Sequence, residues 1–184
     1  MIARQDWIEA GLKALREEGQ SALTIDALSR SLGVSKGSFY HHFGGQPAFR
    51  QALLETWEAE LTLKPIEIAW SETKDSAPEE RARRLGVAVR QLDHRLELAV
   101  RAWGLRESEV QQFVRKVDAR RLECLAELHR ARGHHQSELL AAIDYAAFMG
   151  RVQLGRLAGN ESTFSHTMEK ALVWLGTTLP EEES

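Results

Sequence analysis

Cysteine is almost absent from this 184-residue chain, and the single Cys124 excludes an internal disulfide or a zinc site built from several cysteines. No uninterrupted apolar run approaches the ~18 residues of a membrane-spanning helix. The first ten residues, MIARQDWIEA, lack the apolar core of a secretion signal. We therefore expect a cytoplasmic protein with no membrane partner.

Proline is also scarce, with four in the chain, and no stretch alternates apolar and polar residues as a half-buried strand does. The residues between the prolines are rich in good helix formers and show helical periodicity. The sequence predicts an all-α protein of about nine helices. Their expected ranges are roughly 3–18, 25–32, 36–42, 47–63, 79–91, 94–104, 107–132, 136–158 and 162–178, with a frayed helix end and a loop over 64–78.

Acidic residues are missing from one long segment. Lys and Arg number 24 and Asp and Glu number 27, a net charge of −3, yet no Asp or Glu lies between Ala27 and Leu54. This segment contains Lys36 among other basic side chains. An acid-free basic stretch in an acidic chain is typical of a surface that phosphates approach, and chance composition is the alternative.

Residues 24–43, TIDALSRSLGVSKGSFYHHF, predict a helix, a tight turn and a short second helix. Thr24 and Ser35 are good N-cap residues, and Gly33 suits the left-handed conformation that ends a helix. The apolar residues are spaced so that the two helices pack together. The short helix then exposes a set that suits a nucleic-acid groove, namely Lys36, Gly37, Ser38, Tyr40 and His41. A packed helical hairpin without a ligand is the alternative interpretation.

The run LTIDALSRSLGVSKGSFYHHF resembles the DNA-binding signature of the TetR/AcrR family of bacterial transcriptional regulators, over roughly residues 4–55. The resemblance implies a helix-turn-helix DNA-binding domain over 1–46 and a connecting helix over 47–63. It also implies a larger helical domain over 64–184 that dimerises and binds a small effector. Such a protein is expected to be a repressor that a small-molecule effector releases from its operator. The alternative is a regulator with the same DNA-binding role but no small-molecule effector, which answers to a protein partner or acts constitutively.

Carried over residue by residue, the resemblance gives Thr24 the cap of the second helix and a phosphate contact. Ser35, Lys36, Gly37 and Ser38 open the recognition helix against base edges, and Tyr40 and His41 contact phosphates. Gln46 departs from the family, which commonly has a lysine there. Because one short helix reads only a few base pairs, we expect a homodimer on palindromic double-stranded DNA.

The last two helices are the expected dimer interface, because the helix expected over 136–158 has a stripe of small residues that lets another helix approach closely. The residues expected there are Ala142, Ala146, Gly150, Leu154, Met168, Leu172 and Leu175. Packing of these faces within one chain is the alternative. Candidate lining residues for a small apolar or amphipathic effector are His94, Trp103, Phe113, Val117, Arg121, Tyr145, Phe148 and Met149. Arg121 lies on an apolar stripe, so we expect it to pair with Asp118 or with an anionic ligand.

No catalytic pattern accompanies these features. The sequence has no nucleophile elbow, phosphate-binding loop or paired catalytic acids. The adjacent pairs His41-His42 and His134-His135 cannot share a helical face, and no acid or cysteine lies at ligand spacing from them. We therefore expect neither an enzyme nor a cofactor or metal site.

Overall fold

The computed structural model describes residues 2–71, 77–154 and 161–178, with side chains of the last segment described at 167, 168 and 170–178. Within these ranges every regular element is helical, as the sequence predicts. The α-helices are α1 (Arg4–Glu18), α2 (Ile25–Leu32), α3 (Lys36–His42), α4 (Gln46–Glu58), α5 (Lys64–Trp70), α6 (Pro78–Arg90), α7 (Arg95–Gly104), α8 (Ser108–Ala131), α9 (Ser137–Leu154) and α10 (Glu161–Thr178). The last predicted residues of α9, 155–158, lie outside the described residues.

The helix that begins with α4 is longer than predicted. A π-helical segment, Ala59–Leu63, joins α4 directly to α5, so the chain is helical without a break from residue 46 to residue 70. Counted this way, the described residues contain nine continuous α-helices. The region 64–78, expected to be a frayed helix end and a loop, is therefore regular helix as far as Trp70. Pro65 lacks an N–H donor and disfavours a regular helical turn before it, and the wider π turn accommodates that change of register.

The chain divides into two compact units. The first comprises Met1–Lys64 and Leu92–Arg115, and the second comprises Pro65–Gln91 and Lys116–Ser184. The first unit is built on an aromatic cluster in which Phe39 of α3 is fully buried. The Phe39 ring centroid lies 5.3 Å from those of Trp7 and Phe49 and 5.2 Å from that of Phe43. The recognition-helix candidate is thus held by rings from α1 and α4, in geometries that favour aromatic pairs.

Helix α1 passes very close to α4. A Cβ added at Gly11 would lie 2.6 Å from Cζ of Phe49 and 2.9 Å from Cδ2 of Leu53. Because any side chain would collide with this core, glycine is required at residue 11 by the packing of the protein itself.

Helix α7 also belongs to the first unit and brings a buried carboxylate to it. Glu97 is 1% exposed and accepts hydrogen bonds from Nε1 of Trp57 at 3.1 Å and from Nε of Arg101 at 2.7 Å. In the same unit, Nη1 of Arg50 donates to Oε2 of Glu107 at 2.7 Å. Residues 92–115 therefore bond to Arg50 and Trp57 of α4 within the unit that contains α3.

In the second unit, α10 packs against α9 and against the turn after α8. A Cβ added at Gly176 would lie 2.6–2.8 Å from the His134 ring, so the glycine permits this approach. The His134 ring in turn contacts the buried His129, with 3.0 Å between the two Nδ1 atoms. None of the helices in the described part of the chain is long and apolar enough to span a membrane.

Candidate nucleic-acid interface

The turn between α2 and α3 forms for the reasons the sequence indicates. Oγ1 of Thr24 accepts a hydrogen bond from the N–H of Ala27 at 3.2 Å and caps α2. Gly33 adopts a left-handed conformation, with φ 67°, and ends α2 directly after Leu32. The N–H of Val34 then donates to the carbonyl of Ser29 at 3.0 Å, which closes the turn. These local bonds set the direction of α3 relative to α2.

Helix α3 has one buried side and one exposed side. Phe39 faces the aromatic cluster, whereas Lys36, Gly37 and His41 are exposed and Tyr40 is 59% exposed. Ser38 is half-buried. Ser35 is the exposed N-cap residue in extended backbone conformation, and its side chain makes no capping hydrogen bond. The hydroxyl, ammonium and imidazole groups predicted for this surface therefore lie on it or at its start.

Gly37 has a different environment from Gly11. A Cβ added at Gly37 would meet only Oγ of Ser35, at 3.6 Å, which is ordinary van der Waals contact. Among the residues that the structure describes, no packing contact requires glycine at this exposed helical position. A surface without a side chain lets the helix backbone approach another molecule closely.

The charge on this surface includes one residue that the sequence interpretation missed. Nζ of Lys36 forms an ion pair with Oδ1 of Asp26, in the first turn of α2. Arg30, on the same helix, is exposed. The signal for Asp26 lies in the sequence, because Asp26 is the only carboxylate between Glu18 and Glu55.

Two hydrogen bonds hold the chain near the two ends of residues 24–43. Nε2 of Gln46, where the family commonly has a lysine, donates to the carbonyl of Leu23 at 2.7 Å and so anchors the start of α4 to the residue before Thr24. At the other end, Nε2 of His42 donates to the carbonyl of Ile2 at 3.0 Å. The Arg4 guanidinium lies 5.0 Å from the Phe43 ring centroid, and this cation is a further residue that the sequence interpretation missed.

The candidate effector residues fall in both units. His94, Trp103 and Phe113 belong to the first unit, and the second unit contains Val117, Arg121, Tyr145, Phe148 and Met149. In the second unit the Tyr145 hydroxyl donates to Oδ1 of Asp118 at 2.6 Å and accepts from Nη1 of Arg121 at 3.1 Å. The expected association of Arg121 with Asp118 thus includes a bridging phenol.

The candidate dimer residues differ in exposure. Ala142, Ala146 and Leu154 are exposed, Gly150, Met168 and Leu175 are half-buried, and Leu172 is buried within the chain. Trp174, on the same helix as Leu172, is 63% exposed. Part of the predicted set therefore packs inside the second unit, and part lies on its surface.

Known proteins resemble the chain most strongly over this helix-turn-helix region. A sequence profile described as "Bacterial regulatory proteins, tetR family" matches residues 8–53. The transcriptional regulator AcuR of Cereibacter sphaeroides is 40% identical over 57 residues, which are 31% of this chain and 26% of AcuR. The HTH-type transcriptional regulator SrpR of Pseudomonas putida is 37% identical over 60 residues, 33% of this chain and 28% of SrpR. These matches span about a quarter of each curated relative.

The likeness in fold extends much further. The crystal structure of the regulatory protein TetR from Rhodobacter sphaeroides superposes with a TM-score of 0.70 at 22% identity, covering 94% of this chain and 97% of that chain. The match over 8–53 contains the capped α2, the left-handed turn at Gly33 and α3. Residues 8–53 thus carry the sequence pattern of the tetR family of bacterial regulatory proteins, and the chain shares the fold of solved TetR/AcrR-family structures.

Proposed function

We propose that this chain is a sequence-specific DNA-binding transcriptional regulator that inserts α3 into the major groove of double-stranded DNA. The observation that carries the proposal is the division of α3 into a buried aromatic side and an exposed side with Lys36, Gly37, Tyr40 and His41. These exposed residues have the chemistry that a groove requires. Ammonium and hydroxyl groups bond base edges and phosphates, and glycine allows the helix to lie deep.

Each residue has a definite role in this proposal. Lys36, Ser35 and Ser38 contact base edges at the start of α3, where the side chains project beyond the turn. Tyr40 and His41 contact phosphates, and Thr24 brings the N-terminus of α2 to another phosphate. Since Gln46 is neutral and bonds the Leu23 carbonyl, it adds no charge to the interface.

The test is a binding measurement on duplexes that the wild-type protein selects from a randomised library. Lys36→Ala removes a directed base contact, so the affinity for the selected duplex should fall roughly tenfold or more. Tyr40→Phe removes one hydroxyl and should weaken binding by roughly threefold to tenfold. Lys13→Ala makes the same charge change at an exposed residue of α1 and serves as the control. Equal retardation of all four proteins, with circular dichroism unchanged, would contradict the proposed interface.

We further propose a homodimer that presents two α3 helices to a palindromic operator. Exposed Ala142, Ala146 and Leu154 on α9 and Trp174 on α10 support an interface through the last two helices. Ala146→Glu places a charge in this face and is expected to give monomers in sedimentation velocity. Glu123→Gln, an exposed unit charge change on α8, should leave the dimer intact. A dimer that survives Ala146→Glu would exclude this face.

The regulator is proposed to repress transcription until a small apolar or amphipathic effector binds the second unit and releases the DNA. Half-buried Tyr145, Phe148 and Met149 around a phenol–carboxylate–guanidinium cluster support an amphipathic site. The bonds among Asp118, Tyr145 and Arg121 also favour the alternative, a regulator with no effector, because these groups satisfy one another. A compound that raises the melting temperature and releases DNA from the wild type, but not from Tyr145→Phe, supports an effector. Release that is identical in both proteins excludes this site.

A further inference from the structure

One acid lies on the proposed DNA-binding surface, in the first turn of α2. Asp26 is the only carboxylate between Glu18 and Glu55, and it pairs with Lys36, the only lysine in that segment. The Lys36 and Asp26 side chains are 62% and 61% exposed, respectively. The pair joins the first turn of α2 to the first residue of α3.

A carboxylate in the first turn stabilises α2 through the helix dipole, but that interaction does not require a pair with Lys36. An exposed ion pair contributes little to stability, because water screens the charges and two long side chains lose freedom. The packing of α2 against α3 already has buried Leu28 and Phe39 and the closed turn at Gly33. A carboxylate at this location lowers the affinity for DNA, however, because it repels phosphates and cancels the charge of the lysine.

We infer that Asp26 is a positioning residue that sets DNA specificity through Lys36. The inference rests on the proposed function. Bound to Asp26, the Lys36 ammonium keeps N–H donors for a guanine edge in the major groove, so a directed contact remains possible. The neutralised pair adds little to the attraction that any duplex exerts through its phosphates. Asp26 thus weakens binding to unrelated DNA more than binding to the operator.

Asp26→Asn should therefore change the two affinities unequally. Release of one effective charge steepens the salt dependence for an unrelated duplex by about one unit of slope. At about 0.1 M salt this corresponds to roughly eightfold tighter non-specific binding. The affinity for the selected duplex should rise by a smaller factor or fall, because Asp26 no longer orients the Lys36 ammonium toward its base edge. The ratio of specific to non-specific affinity should drop severalfold.

The experiment is fluorescence anisotropy with the full-length protein over a range of salt concentrations. The probes are the duplex that the wild type selects from a randomised library and a duplex of the same length and scrambled sequence. Glu18→Gln makes the same charge change at the end of α1 and is the matched control. Asp26→Ser is a second variant that also removes the carboxylate. Repeating Asp26→Asn in a Lys36→Ala background forms a double-mutant cycle.

The outcomes separate this inference from the proposed function. A lower specificity ratio in both Asp26 variants, absent from Glu18→Gln and lost without Lys36, supports the positioning role. Equal changes for the two duplexes, or an effect that persists in the Lys36→Ala background, overturn the role. A wild-type protein that selects no duplex overturns the proposed function itself, before Asp26 is tested.

Discussion

Gly37 offers a test in which fold stability and DNA binding should move in opposite directions. The change is Gly37→Ala, which adds one methyl group to the exposed face of α3. The added Cβ meets only Oγ of Ser35 at 3.6 Å, and Gly37 is not among the glycines with positive φ. The free protein therefore accommodates the methyl group without rearrangement.

The expected magnitude for stability follows from the helical conformation of residue 37. Alanine loses less backbone entropy on folding than glycine, so we expect the free energy of unfolding to rise by about 0.5–1 kcal/mol. For a protein of this size that corresponds to roughly 1–4 °C in melting temperature. The same methyl group projects from the face proposed to enter the groove, and displacing α3 outward should weaken binding at least tenfold, by roughly 1.4 kcal/mol.

Two measurements check this expectation, namely urea unfolding followed by circular dichroism and anisotropy on the selected duplex. Gly11→Ala is the matched control, since its Cβ would collide with Phe49 at 2.6 Å and Leu53 at 2.9 Å. It should lower the free energy of unfolding by about 1–3 kcal/mol. A Gly37→Ala protein that is less stable than the wild type, or that binds the duplex equally well, would refute the reasoning about this surface.

Three further predictions concern groups away from α3. Burial raises the pKa of the Cys124 thiol to about 12, so Ellman's reagent at pH 8 should modify the native protein roughly a thousandfold more slowly than the unfolded chain, and rapid native labelling would contradict this. Burial and the neighbouring His129 lower the pKa of His134 in the folded protein. The unfolded chain then takes up the proton first, so the free energy of unfolding should fall as the pH drops below about 6.5, and His134→Gln should reduce that dependence in urea titrations. Glu97→Gln weakens the buried bond to Arg101 and should cost about 1–3 kcal/mol in thermal unfolding, whereas an unchanged melting temperature would show that the carboxylate is not needed.

The helix-turn-helix was predictable from sequence because its signals are local. The Thr24 cap, the left-handed Gly33 and the apolar spacing around Phe39 each act within a few residues of where they stand. Exposure of Tyr40 follows from the burial of Phe39, since adjacent helical residues face different directions. The surface of α3 could therefore be inferred without knowledge of the other helices.

Other features depend on residues far apart in the chain, and the sequence interpretation missed them. Trp57 and Glu97 are separated by 40 positions, and no periodic pattern indicates that the indole will donate to that carboxylate. The π-helical turn before Pro65 compensates for a proline that alone would favour a helix end. The partner of Lys36 could have been found from the isolated Asp26, but only with the relative placement of α2 and α3.

The way α3 is held also bears on how it binds. Its buried face contacts rings from α1 and α4, so the orientation of α3 is set before any DNA is present. The charged and hydroxyl groups of the exposed face contribute little to that packing, whereas Glu97 in the same unit is buried and bonded on both oxygens. A helix fixed in this way loses little conformational entropy on binding, and its affinity depends directly on which side chains face the groove. Removing a side chain's charged or hydroxyl group on the exposed face of α3, as in Lys36→Ala or Tyr40→Phe, should therefore change DNA affinity with little change in the stability of the unit. Substitutions in the aromatic cluster should change both.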